Sequence, residues 1–187
     1  MCGIFAIFNI KGTSSETRAL AIRLLKRLRH RGPEYTGIVS YESARDCHTY
    51  LCHERLAIVD PMHGDQPQFS RDGNYSTIVN GEIYNHRVLY SQMKGFENVD
   101  SNADCQVVSD LFSYYKCDAK RIANMLDGKF VVIAYDIKKK RFWVLRDHIG
   151  IVPCYLGRGI NGEFYVSNEL KSFHDVTNTL EVLLPGI

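Results

Sequence analysis

At 187 residues, with 45% hydrophobic and 24% charged side chains, the chain reads as one ordinary globular domain over 1–187, large enough to bury a core. Its net charge of +2 is spread along the sequence, which argues against a nucleic-acid partner. No apolar run approaches the roughly 18–20 residues that cross a bilayer, and the amino terminus lacks the basic-then-apolar layout of a secretory leader, so a cytoplasmic protein with no membrane attachment is expected.

In chain order, residues 4–8 (Ile-Phe-Ala-Ile-Phe) form an unbroken apolar run that predicts a strand buried on both faces. Thr13-Ser14-Ser15-Glu16 fits a capping box, so a helix starts there. Its apolar stripe falls on Ala21, Leu24, Leu25 and Leu28, and Gly32-Pro33 lies beyond its end. Strands are expected around 35–41, 48–59 and 75–80, helices near 84–93 and 104–117, and a short helical piece over 119–125. From 129 to 168 the pattern is β throughout: Phe130–Tyr135, Phe142–Leu145, Pro153–Leu156 and Phe164–Ser167. Lys138-Lys139-Lys140-Arg141 reads as a solvated hairpin turn between two of these strands, and Asn161-Gly162 as the turn before the last. This order is not the alternation of a parallel doubly wound sheet. It predicts an α+β fold of antiparallel sheets with helices packed outside them.

Six cysteines lie at positions 2, 47, 52, 105, 117 and 154, and none forms a C-x-x-C pair. Cys47, Cys52 and His53 lack a second cluster, so no metal site is expected and reduced thiols are the simpler reading. A phosphate-cradling P-loop or dinucleotide fingerprint is absent.

Cys2 stands apart. Once Met1 is removed, it carries a thiol and a free α-amine on one framework. The two titrate near ~8.5 and ~8 in model peptides, so a terminal nucleophile comes with its own base. Position alone also fits a small buried residue; the rest of the chain tips the balance.

Eight segments read together: Met1-Cys2-Gly3-Ile4-Phe5, Arg29-His30-Arg31-Gly32-Pro33, His53-Glu54-Arg55-Leu56-Ala57-Ile58-Val59-Asp60, Gln66-Pro67, Asn80-Gly81-Glu82-Ile83-Tyr84-Asn85, Asp104-Cys105, Leu126-Asp127-Gly128-Lys129-Phe130, and Arg146-Asp147-His148-Ile149-Gly150-Ile151-Val152-Pro153. In this order they resemble the glutamine amidotransferase domain of glutamine-hydrolysing asparagine synthetase, over essentially the whole chain. The corresponding domains of glucosamine-phosphate synthase and of the first purine-pathway enzyme are less similar.

The resemblance implies the N-terminal-nucleophile hydrolase fold, a four-layer αββα sandwich of antiparallel sheets, and hydrolysis of L-glutamine through a Cys2 thioester. It implies an oxyanion held by the Asn80 side chain and the Gly81 backbone N–H, although Asn-Gly alone is more often a hairpin turn. Arg55 matches the arginine that grips the substrate carboxylate; the plain alternative is a surface ion pair with a neighbour such as Glu54. Backbone groups of Leu56, Ala57, Ile58 and Val59 would line the same pocket, and Asp104, with Glu82 beside it, would take the α-ammonium. Arg31 and Gly32 would shape the adjoining loop.

Departures from that pattern are Ala103 and Gln106, which break a capping box, so a shifted helix start is expected, with Asn102 a substitute cap. Lys129, Cys154 and Asn168 stand where methionine, leucine and serine are commoner. No cofactor is implied for this domain. ATP and magnesium would belong to a synthetase domain acting on aspartate, whose Ser-Gly-Gly-x-Asp-Ser loop occurs nowhere here. The expected partners are glutamine and that synthetase domain or subunit, with room for a homodimer. Two other readings stay open: an amidotransferase or amidohydrolase serving another acceptor, and a glutamine-binding module without catalysis.

Overall fold

The computed structural model describes residues 1–57, 63–96 and 103–185. Its first strand, β1 (Gly3–Lys11), runs through the middle of a sheet, pairing with β3 (Cys47–Arg55) on one side and β9 (Phe164–Ser167) on the other. Central placement explains the unbroken apolar run, because both faces of β1 are covered. Adding β2 (Tyr35–Ala44), β8 (Tyr155–Arg158) and β10 (Thr179–Val182) gives a six-stranded sheet ordered β10-β8-β9-β1-β3-β2. A second sheet, ordered β4-β5-β6-β7, comprises β4 (Gln68–Phe69), β5 (Tyr75–Ile83), β6 (Gly128–Asp136) and β7 (Arg141–Arg146). Every strand pair is antiparallel.

Period-two alternation divides the side chains among three cores. Ile4, Ala6, Phe8 and Leu51 of the first sheet meet Ile78, Val131 and Ile133 of the second. On the far side of the first sheet, Phe5, Ile7, Tyr50 and Cys52 receive Ala21, Leu24 and Leu25 from α1 (Ser14–Leu25), and Leu28 just beyond it. On the far side of the second, Val79, Phe130 and Val132 pack against α2 (His86–Gln92), α3 (Gln106–Tyr114) and α4 (Ala119–Met125) through Leu89, Val108, Leu111 and Ile122. The layers are therefore α, β, β, α, the sandwich expected from the element order.

The capping box of α1 forms in full: the Thr13 hydroxyl accepts the Glu16 N–H, and the Glu16 carboxylate accepts the Thr13 N–H at 3.1 Å. The helix tightens into a 3-10 turn over Lys26–Arg31 before Gly32. The strand expected over 48–59 ends at Arg55, and its last two residues lie outside the described ones. Helix α3 begins at Gln106, two residues after the start expected at 104, with Cys105 at the cap position and no side-chain cap bond; Asn102 lies outside the described residues. Two strands escape sequence reading. β4 has only two residues, and every residue of edge strand β10 is exposed, so neither has an apolar period to detect.

Candidate active site

Residue 2 has the parity of Ile4 and Ala6, so continuing β1 backwards aims Cys2 toward the space between the sheets. There a cleft of about 540 Å³, its open mouth included, is lined by Cys2, Arg55, Leu56, Gly81, Glu82 and Asp104. Four separate segments supply these residues. Asn80 lies next to Gly81 in β5 and is wholly buried. Ala57 is half-buried and does not line the cleft, while Ile58 and Val59 lie outside the described residues.

The Cys2 sulfur accepts the Leu56 N–H at 3.4 Å and faces the Leu56 carbonyl at 3.6 Å. Burial pushes the thiol up from its ordinary range, and the Leu56 N–H, the terminal ammonium, Arg55 and Arg31 only partly offset it. With Met1 attached the sulfur is thus a protonated thiol at neutral pH, and it needs a base. Met1 is itself 42% exposed and forms part of the cleft wall. Behind Cys2, Arg31 Nε donates to the Cys2 carbonyl at 2.9 Å while its Nη1 meets Glu169 at 2.8 Å, which ties down the terminal backbone.

Across the cleft, neither amide atom of Asn80 has a protein partner among the described residues, although both are buried. An unmet buried amide costs about 1–3 kcal/mol. Gly81 has φ +149°, and a Cβ there would lie 1.9 Å from the Lys129 carbonyl oxygen. Only glycine lets β5 and β6 approach this closely. Gln66 sets the strand just before this pair: its Oε1 accepts the Val79 N–H at 2.6 Å and its Nε2 donates to the Val79 carbonyl at 3.1 Å.

Charged groups gather at the rim. Arg55, on the inner face of β3, donates from Nη1 to Asp65 at 2.8 Å. Gly64 makes room for it, since a Cβ there would lie 2.3 Å from Arg55 Nη2. Glu54, one step along the strand, faces the other way, and its carboxylate takes Arg29 at 2.8 Å and the Thr36 hydroxyl at 2.7 Å. Arg55 is therefore in an ion pair, as its plainer reading expected, but with Asp65 rather than with Glu54. Asp104 Oδ2 accepts the Ile83 N–H at 2.7 Å, and Glu82 Oε1 lies 3.1 Å from Lys129 Nζ.

A model of the glutamine amidotransferase domain family matches residues 1–183. The chain belongs to that family. Among curated proteins this amidotransferase domain is 40% identical to "asparagine synthetase [glutamine-hydrolyzing] 3" of Arabidopsis thaliana and 42% identical to "asparagine synthetase [glutamine-hydrolyzing] 2" of Oryza sativa subsp. japonica. Each alignment covers 100% of this chain but only 31% and 30% of the relative, so the chain spans about a third of their length. In structure the amidotransferase domain superposes on the glutamine phosphoribosylpyrophosphate amidotransferase of B. subtilis with a TM-score of 0.80, at 20% identity, over 99% of this chain and 46% of that one. That likeness identifies the fold as the N-terminal-nucleophile hydrolase sandwich.

Three residues that line the amidotransferase cleft, Gly64, Gln66 and Cys105, had no assignment from sequence, nor had Asp65, the partner of Arg55. Gln66 carried a signal, as half of the Gln66-Pro67 motif, but its strand-mimicking role needs tertiary contact. Cys105 is a second thiol in the cleft, held well above its ordinary pKa by burial and by the Asp104 carboxylate. His53, also on the inner face of β3, is pushed down to about 3 by burial, with Arg55 adding to the shift, and stays neutral. Its neighbour Cys52 faces the α1 layer, so the two diverge rather than converge on an ion. Among the described residues no three His, Cys, Asp or Glu side chains cluster to hold a metal.

Proposed function

We propose that this amidotransferase domain, taken as one unit over residues 1–187, hydrolyses L-glutamine to glutamate and ammonia with Cys2 as nucleophile after loss of Met1. The Cys2 sulfur attacks the side-chain amide carbon, and its own α-amine takes the thiol proton. The same ammonium returns a proton to the leaving nitrogen. Ammonia departs, and water then hydrolyses the thioester to glutamate and restores the thiol. The observation that carries this reading is a half-buried Cys2 thiol that lines the same cleft as Gly81 and stands next to a terminus that becomes a base on trimming.

The negative charge of each tetrahedral intermediate falls to the Asn80 amide and the Gly81 N–H. The unmet amide of Asn80 supports that role. Arg55 takes the substrate α-carboxylate with its planar fork, Leu56 to Val59 line the same side, and Asp104 with Glu82 takes the α-ammonium. Holding both ends of the amino acid sets how far its amide reaches. Asparagine, one methylene shorter, falls short of the sulfur, and misplacement of about 1 Å costs about 100-fold.

No step in this scheme needs a cofactor. The identity to asparagine synthetases supports a further step, in which ammonia passes to an ATP- and magnesium-dependent synthetase domain that acts on aspartate. Association through a homodimer and action in the cytosol fit the same reading; the six unpaired thiols support a reducing compartment, and no helix among the described residues is long and apolar enough to cross a membrane.

The test is glutaminase activity of the purified chain beside a Cys2→Ala control, with mass spectrometry of the mature amino terminus. Activity in the trimmed protein and none in the control is expected. Equal ammonia release from both, or full activity with Met1 intact, overturns the mechanism.

A further inference from the structure

The acidic end of the cleft carries a counter-charge that the mechanism does not use. Lys129 opens β6 directly opposite Glu82 in the β5–β6 ladder, with Nζ 3.1 Å from Glu82 Oε1. Both side chains are partly exposed, 29% for Lys129 and 37% for Glu82. Glu82 lines the cleft beside Asp104, and one Asp104 oxygen is already engaged by the Ile83 N–H. Two carboxylates thus face the place assigned to a substrate ammonium, and Lys129 neutralises one of them. The Glu82 carboxylate in turn lifts the lysine above its ordinary range, so the cation persists at every working pH.

We propose that Lys129 is a positioning residue that weakens glutamine affinity by competing with the substrate α-ammonium for Glu82. This inference rests on the glutaminase reading above. A free Glu82 would add a second attractive charge to Asp104; tied to Lys129, it contributes one shared oxygen. The contact lies at the solvent-exposed rim, where a charge pair is worth little and is screened by salt. The effect is therefore one of tuning. The Lys129 side chain pairs with Glu82, and only its backbone carbonyl, which the side-chain variants keep, approaches Gly81, so turnover is left alone.

The experiment compares Lys129→Met and Lys129→Arg with the unaltered chain in steady-state glutamine hydrolysis, and measures glutamine binding calorimetrically in the Cys2→Ala background. Lys129→Met is expected to lower the Michaelis and dissociation constants about two- to fivefold with kcat unchanged, the factor shrinking toward one in high salt. Lys129→Arg, which keeps the cation, should stay within about 1.5-fold of the parent. Lys129→Gln serves as a second neutral variant should the methionine form fold poorly. Neutral variants that bind glutamine no tighter than the parent, or whose change falls on kcat, overturn the inference while leaving the glutaminase reading intact. A parent chain that neither binds nor hydrolyses glutamine overturns that reading, and this inference with it.

Discussion

The two ends of the cleft are built differently. At the chemical end, Cys2 continues the central strand of one sheet and Asn80 sits wholly buried in a central strand of the other. At the other end, the groups are charged, come from strand ends and loops, and form ion pairs: buried Arg55 with Asp65, whose side chain is 53% exposed, and Glu82 with Lys129 at the rim. The chemical end needs donors fixed before the reaction starts, because electrostatic stabilisation works through preorganisation. Recognition of an α-carboxylate and an α-ammonium needs only charge and reach, and can be retuned by one rim residue. On the proposed mechanism, rigid strands hold the chemistry and ion pairs hold the substrate.

That contrast is most easily broken at Asn80. Asn80→Ala should reduce kcat by roughly 100- to 1,000-fold with little change in the Michaelis constant, the signature of an interaction made mainly in the transition state. A kcat within a few-fold of the parent would remove Asn80 from the oxyanion site. At the other end, Arg55→Lys should raise the Michaelis constant for glutamine about tenfold or more while sparing kcat, since a point charge replaces a two-pronged fork. An unchanged Michaelis constant rules out the assignment. The smallest effect lies away from both ends. Thr13→Ala removes the α1 cap and should cost about 1 kcal/mol, lowering Tm by about 2–4 °C, with glutaminase kinetics untouched. A kinetic change there would mean that the α1 layer couples to the cleft.

Local rules made much of the fold legible. The double-sided burial of β1, the capping box at Thr13–Glu16 and the hairpin turn before Arg141 all follow from patterns within a dozen residues. β4 and β10 were missed for the opposite reason: one is too short to show a period and the other has no buried face. The start of α3 moved because the residues at its expected cap offer no hydroxyl, and the chain turns at Asp104–Cys105 before the helix sets in.

For the cleft, the residue types were readable in order along the chain, and Cys2 was singled out as the candidate nucleophile by its place after Met1 together with the motifs that follow it. Partners were another matter. Whether Arg55 meets Glu54 or Asp65, whether Gln66 grips Val79, and whether Lys129 reaches Glu82 depend on which strands lie side by side and in what register. Spacing along the chain encodes period, capping and the identity of a terminal thiol, because each of these is settled among near neighbours. Charge pairing across the cleft was decided only by the packed sheets, because antiparallel register brings together residues that are remote in sequence and alternation decides which of them face each other.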